Sequence, residues 1–316
     1  MNYGRLLEGR RAVITSGAHG MGFAIAKMFA KHGARVAICG RSPTGVESAT
    51  LLQGFCPECF FFQCDVTHRD ELDAFCDAVL EHFGYVDIIV NNVGINVREL
   101  TYEVTDEAME AVFTTNLKSI VHLNRRLLPV LIEKGLPGSV IHISSVHGHA
   151  TMMAMGSYAA SKGAIEAFSR AMAVELGPYG IRSNVVAPGG VFTMPAYNRI
   201  LTWMTEHPGQ SYRDEIIAKI PLDPLIGDAA LTDGRAEDIA HACLYFASDM
   251  SAYVSGTVLM QDGGAGNQAH RAREYPVPDY FEDLKREYLM AMPYPEPGDT
   301  ALRNTSGQVD LHKGES

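Results

Sequence analysis

Arg11-Ala12-Val13-Ile14-Thr15-Ser16-Gly17-Ala18-His19-Gly20-Met21-Gly22 decides the fold of this chain. An apolar strand pattern runs into a glycine-rich turn. Phe23-Ala24-Ile25-Ala26-Lys27-Met28-Phe29-Ala30 then reads as a helix. Glycines at such a turn let backbone approach a pyrophosphate, and the helix start offers free N–H groups and the positive end of its dipole. A second strand pattern at 35–39 follows at the distance a βαβ unit needs. The expectation is a dinucleotide site drawing on Ser16, Gly17, His19, Gly20, Met21 and Gly22.

The second strand pattern ends in Gly40-Arg41-Ser42, with Thr44 close by. Selectivity for NAD rests on a carboxylate near this strand end, which binds the ribose 2′-OH. Here a guanidinium takes that place, and Arg41 with Ser42 suits a 2′-phosphate. NADP(H) is therefore favoured over NAD(H).

Strand-like runs recur at 11–15, 35–39, 59–64, 86–90, 139–143, 181–186 and 257–260, separated by helix-like segments. The alternation predicts an α/β fold: a doubly wound, Rossmann-type parallel sheet with ligands at the strand C-terminal ends. Residues 1–266 are read as a single dinucleotide-binding catalytic domain. Residues 192–230 interrupt the pattern with Phe192, Met194, Tyr197, Trp203 and Met204 among prolines, and are expected to form a helical substrate lid. Residues 267–316 are read as a C-terminal extension. Asp279-Tyr280-Phe281-Glu282 opens one short helix there, with Phe281, Leu284, Tyr288 and Met292 on one face, and residues 301–316 read as disordered.

Tyr158-Ala159-Ala160-Ser161-Lys162 carries the chemistry. Residues four apart share one helix face. A free phenol titrates near pH ~10; a neighbouring ammonium favours the phenolate and is expected to bring it toward the working range. Ser145 stands thirteen residues before Tyr158, just past the strand-like run Val140-Ile141-His142-Ile143. A hydroxyl there is aimed at the same spot as the phenol. These are parts for moving a proton on and off a carbinol or carbonyl oxygen. Met152, Met153 and Met155, between them, offer soft apolar surface to a substrate, while Asn96 and Arg98 are polar candidates nearby.

Taken in order, these motifs resemble the short-chain dehydrogenase/reductase family, over about residues 6–264. Thr15 to Gly22 is similar to the family's Thr-Gly-x-x-x-Gly-x-Gly turn, with Ser16 in place of the first glycine. Asp65-Val66 resembles the pair that holds adenine. Asn91-Asn92-Val93-Gly94 resembles Asn-Asn-Ala-Gly, with Val93 for the alanine. Pro188-Gly189-Gly190-Val191-Phe192-Thr193 resembles the segment over the nicotinamide, with Thr193 for its carboxamide. Gly234 to Ile239 and Gln261 to Gly264 resemble the family's C-terminal elements. The resemblance implies that Asn116, Ser145, Tyr158 and Lys162 are catalytic. Tyr158 exchanges the proton, Lys162 lowers its pKa and holds the nicotinamide ribose, Ser145 bonds the carbonyl oxygen, and Asn116 anchors a water relay. It implies cofactor contacts by Asp65, Val66, Asn91, Asn92, Gly94, Tyr158, Lys162, Pro188, Gly189, Val191 and Thr193. It further implies a homotetramer, with a homodimer as the alternative.

Composition narrows the class. A formal net charge of −11 argues against nucleic acid as a partner. No apolar run of ~18 residues suggests a membrane span. Met1-Asn2-Tyr3-Gly4-Arg5 shows no signal-peptide core, so a cytoplasmic enzyme is expected. Six cysteines read as thiols, and Cys56-Pro57-Glu58-Cys59 has no second such pair, so no metal site is assigned. The function expected is an NADP(H)-dependent oxidoreductase interconverting a secondary alcohol and a ketone. The apolar lid favours a bulky, mostly apolar small molecule such as a hydroxysteroid or bile acid. A sugar-acid, polyol or 3-oxoacyl reductase is the alternative. A non-catalytic NADP-binding redox sensor belongs to another class, and four intact catalytic residues argue against it.

Overall fold

The computed structural model describes residues 4–192 and 234–264. The expected lid at 192–230 lies outside them apart from Phe192, as do Thr193 and the extension at 267–316. Contacts divide the described residues into two units, 4–188 with 236–260, and 189–192 with 234–235 and 261–264.

The first unit alternates strands and helices: β1 (Arg11–Thr15), α1 (Gly20–Lys31), β2 (Arg35–Gly40), α2 (Gly45–Gln53), β3 (Phe60–Gln63), α3 (Arg69–Phe83), β4 (Ile88–Asn91) and α4 (Asp106–Phe113). It continues with α5 (Ser119–Glu133), β5 (Gly138–Ile143), α6 (Gly156–Leu176), β6 (Ile181–Pro188), α7 (Ala236–Ala247) and β9 (Val258–Gln261), whose last residue falls in the second unit. In the second unit β7 (Val191–Phe192) pairs with β8 (Gly234–Arg235). All seven strand runs read from the sequence are present, in a seven-stranded parallel sheet of order β3-β2-β1-β4-β5-β6-β9. This is the doubly wound Rossmann-type architecture.

Both faces of the sheet are covered, which is why its strands read as unbroken apolar runs. Val13, Ala37, Ile89 and Val140 join Phe75, Val79, Leu123, Leu127 and Met172 in one core beneath α3, α5 and α6. The alternating positions Ala12, Ile14, Val36 and Ile38 are equally buried and face the other way. α1 and α7 pack together, with Ile25, Phe29, Ile239 and Phe246 buried. Strand order reverses beside β1, which has β2 on one side and β4 on the other. A crevice at such a switch point is where ligands bind in this fold class. No described helix is long and apolar enough to cross a membrane.

One polar chain crosses the apolar sheet. Asn91 Nδ2 on β4 lies 3.2 Å from His142 Nδ1 on β5, and Ser183 Oγ on β6 lies 3.4 Å from His142 Nε2. Ser183 in turn meets Ser169 of α6 at 2.9 Å. Asn91 Nδ2 can only donate, so His142 Nδ1 accepts there and the imidazole proton sits on Nε2. Burial, with the Lys162 charge adding to it, pulls His142 down to about 3. Below pH ~6.5 the unfolded chain takes up a proton that the native His142 refuses, so stability is lost as pH falls toward the folded value. The expected loss from this group is about 1.4 kcal/mol per pH unit. His142→Gln should lower stability at neutral pH yet flatten the slope of urea-unfolding free energy between pH 6 and 4. An unchanged slope would show that His142 is not the group responsible.

Candidate active site

The turn after β1 is fixed by hydrogen bonds to the end of β4. Thr15 Oγ1 accepts the N–H groups of Asn92 at 3.0 Å and Val93 at 3.1 Å. Asn92 Nδ2 donates to the carbonyls of Thr15 at 3.0 Å and Ser16 at 3.2 Å. Ser16 adopts φ 51, a left-handed conformation that costs a non-glycine residue about 1–2 kcal/mol. The sequence departure at Ser16 therefore stores strain without changing the course of the chain. Gly22 has no room for a side chain, since a Cβ would strike the Ser16 carbonyl and come within 2.6 Å of Asn92 Nδ2. α1 begins at Gly20 with no side-chain cap and no acid in its first turn. Its opening N–H groups and dipole thus suit an anion such as a pyrophosphate.

At the end of β2, Arg41 is exposed. Ser42 Oγ lies 2.7 Å from Thr44 Oγ1, which lies 3.3 Å from His19 Nε2. This cluster of cation, hydroxyls and imidazole fits a 2′-phosphate, and the glycine turn fits the pyrophosphate behind it. Asp65 is engaged locally: its Oδ1 accepts from Thr67 N–H at 2.9 Å and Thr67 Oγ1 at 2.7 Å. Burial pushes the Asp65 carboxyl up. The Thr67 donors and the Arg41 and His68 charges outweigh that and hold it below the usual range. Val66 beside it is buried in the core with Phe75. Val93, the second sequence departure, is half-buried and packs on the same core.

The catalytic candidates converge at the ends of β4 and β5. Asn116 sits in a π-helical turn, Thr114–Lys118, between α4 and α5, a local irregularity often found at functional sites. It is fully buried. Its Oδ1 accepts Ile95 N–H at 2.8 Å, and its Nδ2 donates to Ile95 O at 3.0 Å and Ser161 Oγ at 2.9 Å. Lys162 is 3% exposed and donates from Nζ to Ile143 O at 2.8 Å. Its Nζ lies 5.5 Å from the Tyr158 ring centre. A Cβ at Gly94 would come within 3.2 Å of Lys162 Nζ, so glycine keeps that approach open. Ser145 Oγ accepts His147 N–H at 3.3 Å, and the Ser145 side chain acts on the Tyr158 phenol, favouring its ionised form. The His147 ring stands edge-on to Tyr158 at 5.8 Å.

The electrostatics correct one expectation. Burial raises the Tyr158 phenol, and the Ser145 hydrogen bond offsets only part of that. Burial likewise pulls Lys162 down to about 8, with the Glu166 charge opposing the fall. Met155 is another correction: it is buried, whereas Met152 and Met153 are exposed on the loop between Ser145 and Tyr158. Among the described residues no cluster of three His, Cys, Asp or Glu can hold a metal ion.

The remaining cofactor candidates divide between the units. Pro188 ends β6. In the second unit Gly189 N–H donates to Gln261 O at 3.0 Å, Val191 pairs with Gly234, and Gly264 N–H donates to Asp262 Oδ1 at 2.9 Å. Three groups escaped the sequence reading. Ser161, inside the Tyr-x-x-x-Lys motif, donates to Tyr158 O at 2.7 Å and links it to Asn116. Glu166, one turn beyond Lys162, is 3% exposed and bound by Ser144. Its signal was available as an acid four residues after a functional lysine. His142 gave no signal, since a lone histidine in a strand run says nothing of its partners.

A glycine turn at the sheet's switch point, with Ser, Tyr and Lys gathered on the neighbouring strand and helix, defines a dinucleotide-binding oxidoreductase fold. The family model described as Enoyl-(Acyl carrier protein) reductase matches residues 17–266. A 3-oxoacyl-[acyl-carrier-protein] reductase of Chlamydia muridarum is 34% identical over 261 residues, 82% of this chain and 98% of that protein. A short-chain type dehydrogenase/reductase of Sinorhizobium fredii, itself uncharacterized, is 33% identical over 268 residues, covering 82% and 98%. The crystal structure of levodione reductase superposes with a TM-score of 0.74 at 29% identity, over 84% of this chain and all of that one. The chain belongs to the short-chain dehydrogenase/reductase family. Its relatives are oxidoreductases, and so is this enzyme.

The strain at Ser16 is measurable. Ser16→Gly removes the left-handed penalty and adds some unfolded-state entropy, for a net gain of roughly 0.5–1 kcal/mol. Urea unfolding of the two proteins reads it. A loss of stability would mean that the hydroxyl supports the turn.

Proposed function

We propose that the enzyme interconverts a secondary alcohol and a ketone with NADP(H), using Ser145, Tyr158, Lys162 and Asn116. The observation that carries this reading is the convergence of the Ser145 hydroxyl, the Tyr158 phenol and the buried Lys162 ammonium beside Gly94. When bound, the nicotinamide supplies or accepts the hydride at the carbinol carbon. In the reducing direction Ser145 donates a hydrogen bond to the ketone oxygen, and Tyr158 gives that oxygen its proton. Hydride plus proton make the alcohol, and the phenolate left behind is stabilised by Lys162. Phenol raised by burial holds its proton until the oxygen develops charge. Asn116 keeps the chain after β4 and the Ser161 turn of α6 in register, which sets the distance between Gly94 and Lys162.

For the cofactor, Arg41 with Ser42, Thr44 and His19 would hold the 2′-phosphate, and the start of α1 the pyrophosphate. Asp65, Val66, Asn91, Asn92, Pro188, Gly189, Val191 and Thr193 are proposed as further contacts. Relatives named 3-oxoacyl-[acyl-carrier-protein] reductase support an acyl ketone as one substrate class. Exposed Met152 and Met153 support the bulky apolar ketone read from the sequence. A panel of 3-oxoacyl thioesters, oxo-steroids and keto-acids with NADPH, followed by absorbance, separates them. The family likeness also supports a cytoplasmic homotetramer.

Tyr158→Phe should abolish turnover while leaving NADPH binding nearly intact, because the ring packs and only the oxygen carries the proton. Lys162→Ala should damage both turnover and NADPH affinity. Most of kcat surviving in Tyr158→Phe would refute the mechanism.

Arg41→Ala should raise the Kd for NADPH about tenfold or more, and leave that for NADH nearly unchanged. Fluorescence titration reads both. Equal loss for the two cofactors would assign Arg41 a structural role.

A further inference from the structure

The catalytic face of α6 has a third charged member. Glu166 follows Lys162 by one turn, as Lys162 follows Tyr158. It is 3% exposed. The Ser144 hydroxyl donates to Glu166 Oε1 at 2.8 Å, with the Lys162 carbonyl a second acceptor at 3.2 Å. His149 Nε2, at a half-exposed side chain, lies 3.0 Å from Glu166 Oε2. A Cβ at Gly148 would come within 3.0 Å of Glu166 Cδ. One carboxylate thus gathers Ser144, Gly148 and His149, which bracket Ser145 on the loop from β5. A buried carboxylate lacking an opposite charge is costly, and so is a buried ammonium. The titratable groups packed here are Tyr158 and Lys162 on α6, His142 on β5, and His147 and His149 on the loop, with His147 lowered by burial and by the Arg98 charge. His142 is held neutral, which leaves Lys162 as the interior cation.

We propose that Glu166 is a positioning residue for the Ser145–Tyr158–Lys162 site. Its carboxylate, buried one helical turn from the buried Lys162, supports the ammonium there, and through Ser144 and His149 it anchors the loop that carries Ser145. The inference rests on the proposed reaction but is separable from it. Burial depresses Lys162, and the Glu166 charge limits the fall. Glu166→Gln keeps the shape and an acceptor for Ser144 while removing the charge.

The test titrates Lys162 directly, by NMR of the side-chain Cε and Nζ signals in lysine-labelled full-length protein. The signal is assigned by its disappearance in Lys162→Met. In Glu166→Gln its midpoint should fall by about one pH unit, and Glu166→Asp should restore most of it. The alkaline limb of kcat/KM should move the same way, with about fivefold loss at pH 8 and little at pH 6. An unmoved Lys162 midpoint overturns the proposal, whatever happens to activity or Tm. Should Glu166→Gln fail to fold, Ser144→Ala removes the hydroxyl that holds the carboxylate. It should shift Lys162 in the same direction, and no shift there overturns the proposal equally. A shifted midpoint in a protein that turns over no ketone would uphold Glu166 as the counter-charge and sink the oxidoreductase mechanism instead.

Discussion

Taking the Lys162 ammonium out of water is the constraint on which the site depends. An ion moved into a protein interior loses several kcal/mol of hydration, and only well-placed partners offset that. Ile143 supplies its carbonyl because β5 ends just there, and Glu166 supplies opposite charge one helical turn away. Both require α6 to lie against the C-terminal end of β5 at a fixed height. The register of β5 on β4 and β6 therefore sets the chemistry as much as the side chains do. A shift of one residue in that register would turn every side chain on the strand to the other face.

The same logic explains why polar groups cluster inside so apolar a sheet. Asn116 spends its amide on Ile95 and Ser161, and Thr15 spends its hydroxyl on two N–H groups beyond β4. Each closes a chain break at a strand end where ladder bonding stops. The His142 chain through Asn91 and Ser183 joins three neighbouring strands behind the site. Among the described residues Asn91 Oδ1 is left without a partner, so it is Asn91 Nδ2, His142 and Ser183 that tie the strands to one arrangement.

What was legible in the sequence followed from burial on both faces and from backbone limits. Val13, Ile89 and Val140 lie in strands that must be apolar throughout, so the runs announced themselves. Gly22 is required by a carbonyl that leaves no room for Cβ, and the turn was readable for that reason. The Tyr158–Lys162 spacing was readable because helical period alone puts the two together. Other features were not. The left-handed Ser16 follows from contacts with Asn92, seventy-six residues away, which no local pattern reveals. Met155 goes to the core while Met152 and Met153 do not, because the loop turns at Ala154, with φ 62, between them. The raised Tyr158 phenol is not legible from helical spacing, because burial of the ring decides it. Lys162 Nζ sits over the ring, with its hydrogen bond directed at Ile143.

Burial acts on the two groups in opposite directions. A phenol raised by burial and a lysine lowered by burial change places in proton affinity, so the phenol holds its proton more tightly than the ammonium does. Near neutral pH the pair rests as phenol plus ammonium, which is the form that donates a proton to a ketone. The reverse reaction needs phenolate, and raising the pH to make it also drains Lys162 above about 8. On the proposed mechanism, oxidation needs a charge on Lys162 while Tyr158 gives up its proton. Within the chain, the group placed to prolong that charge is the carboxylate one turn further along the same helix face.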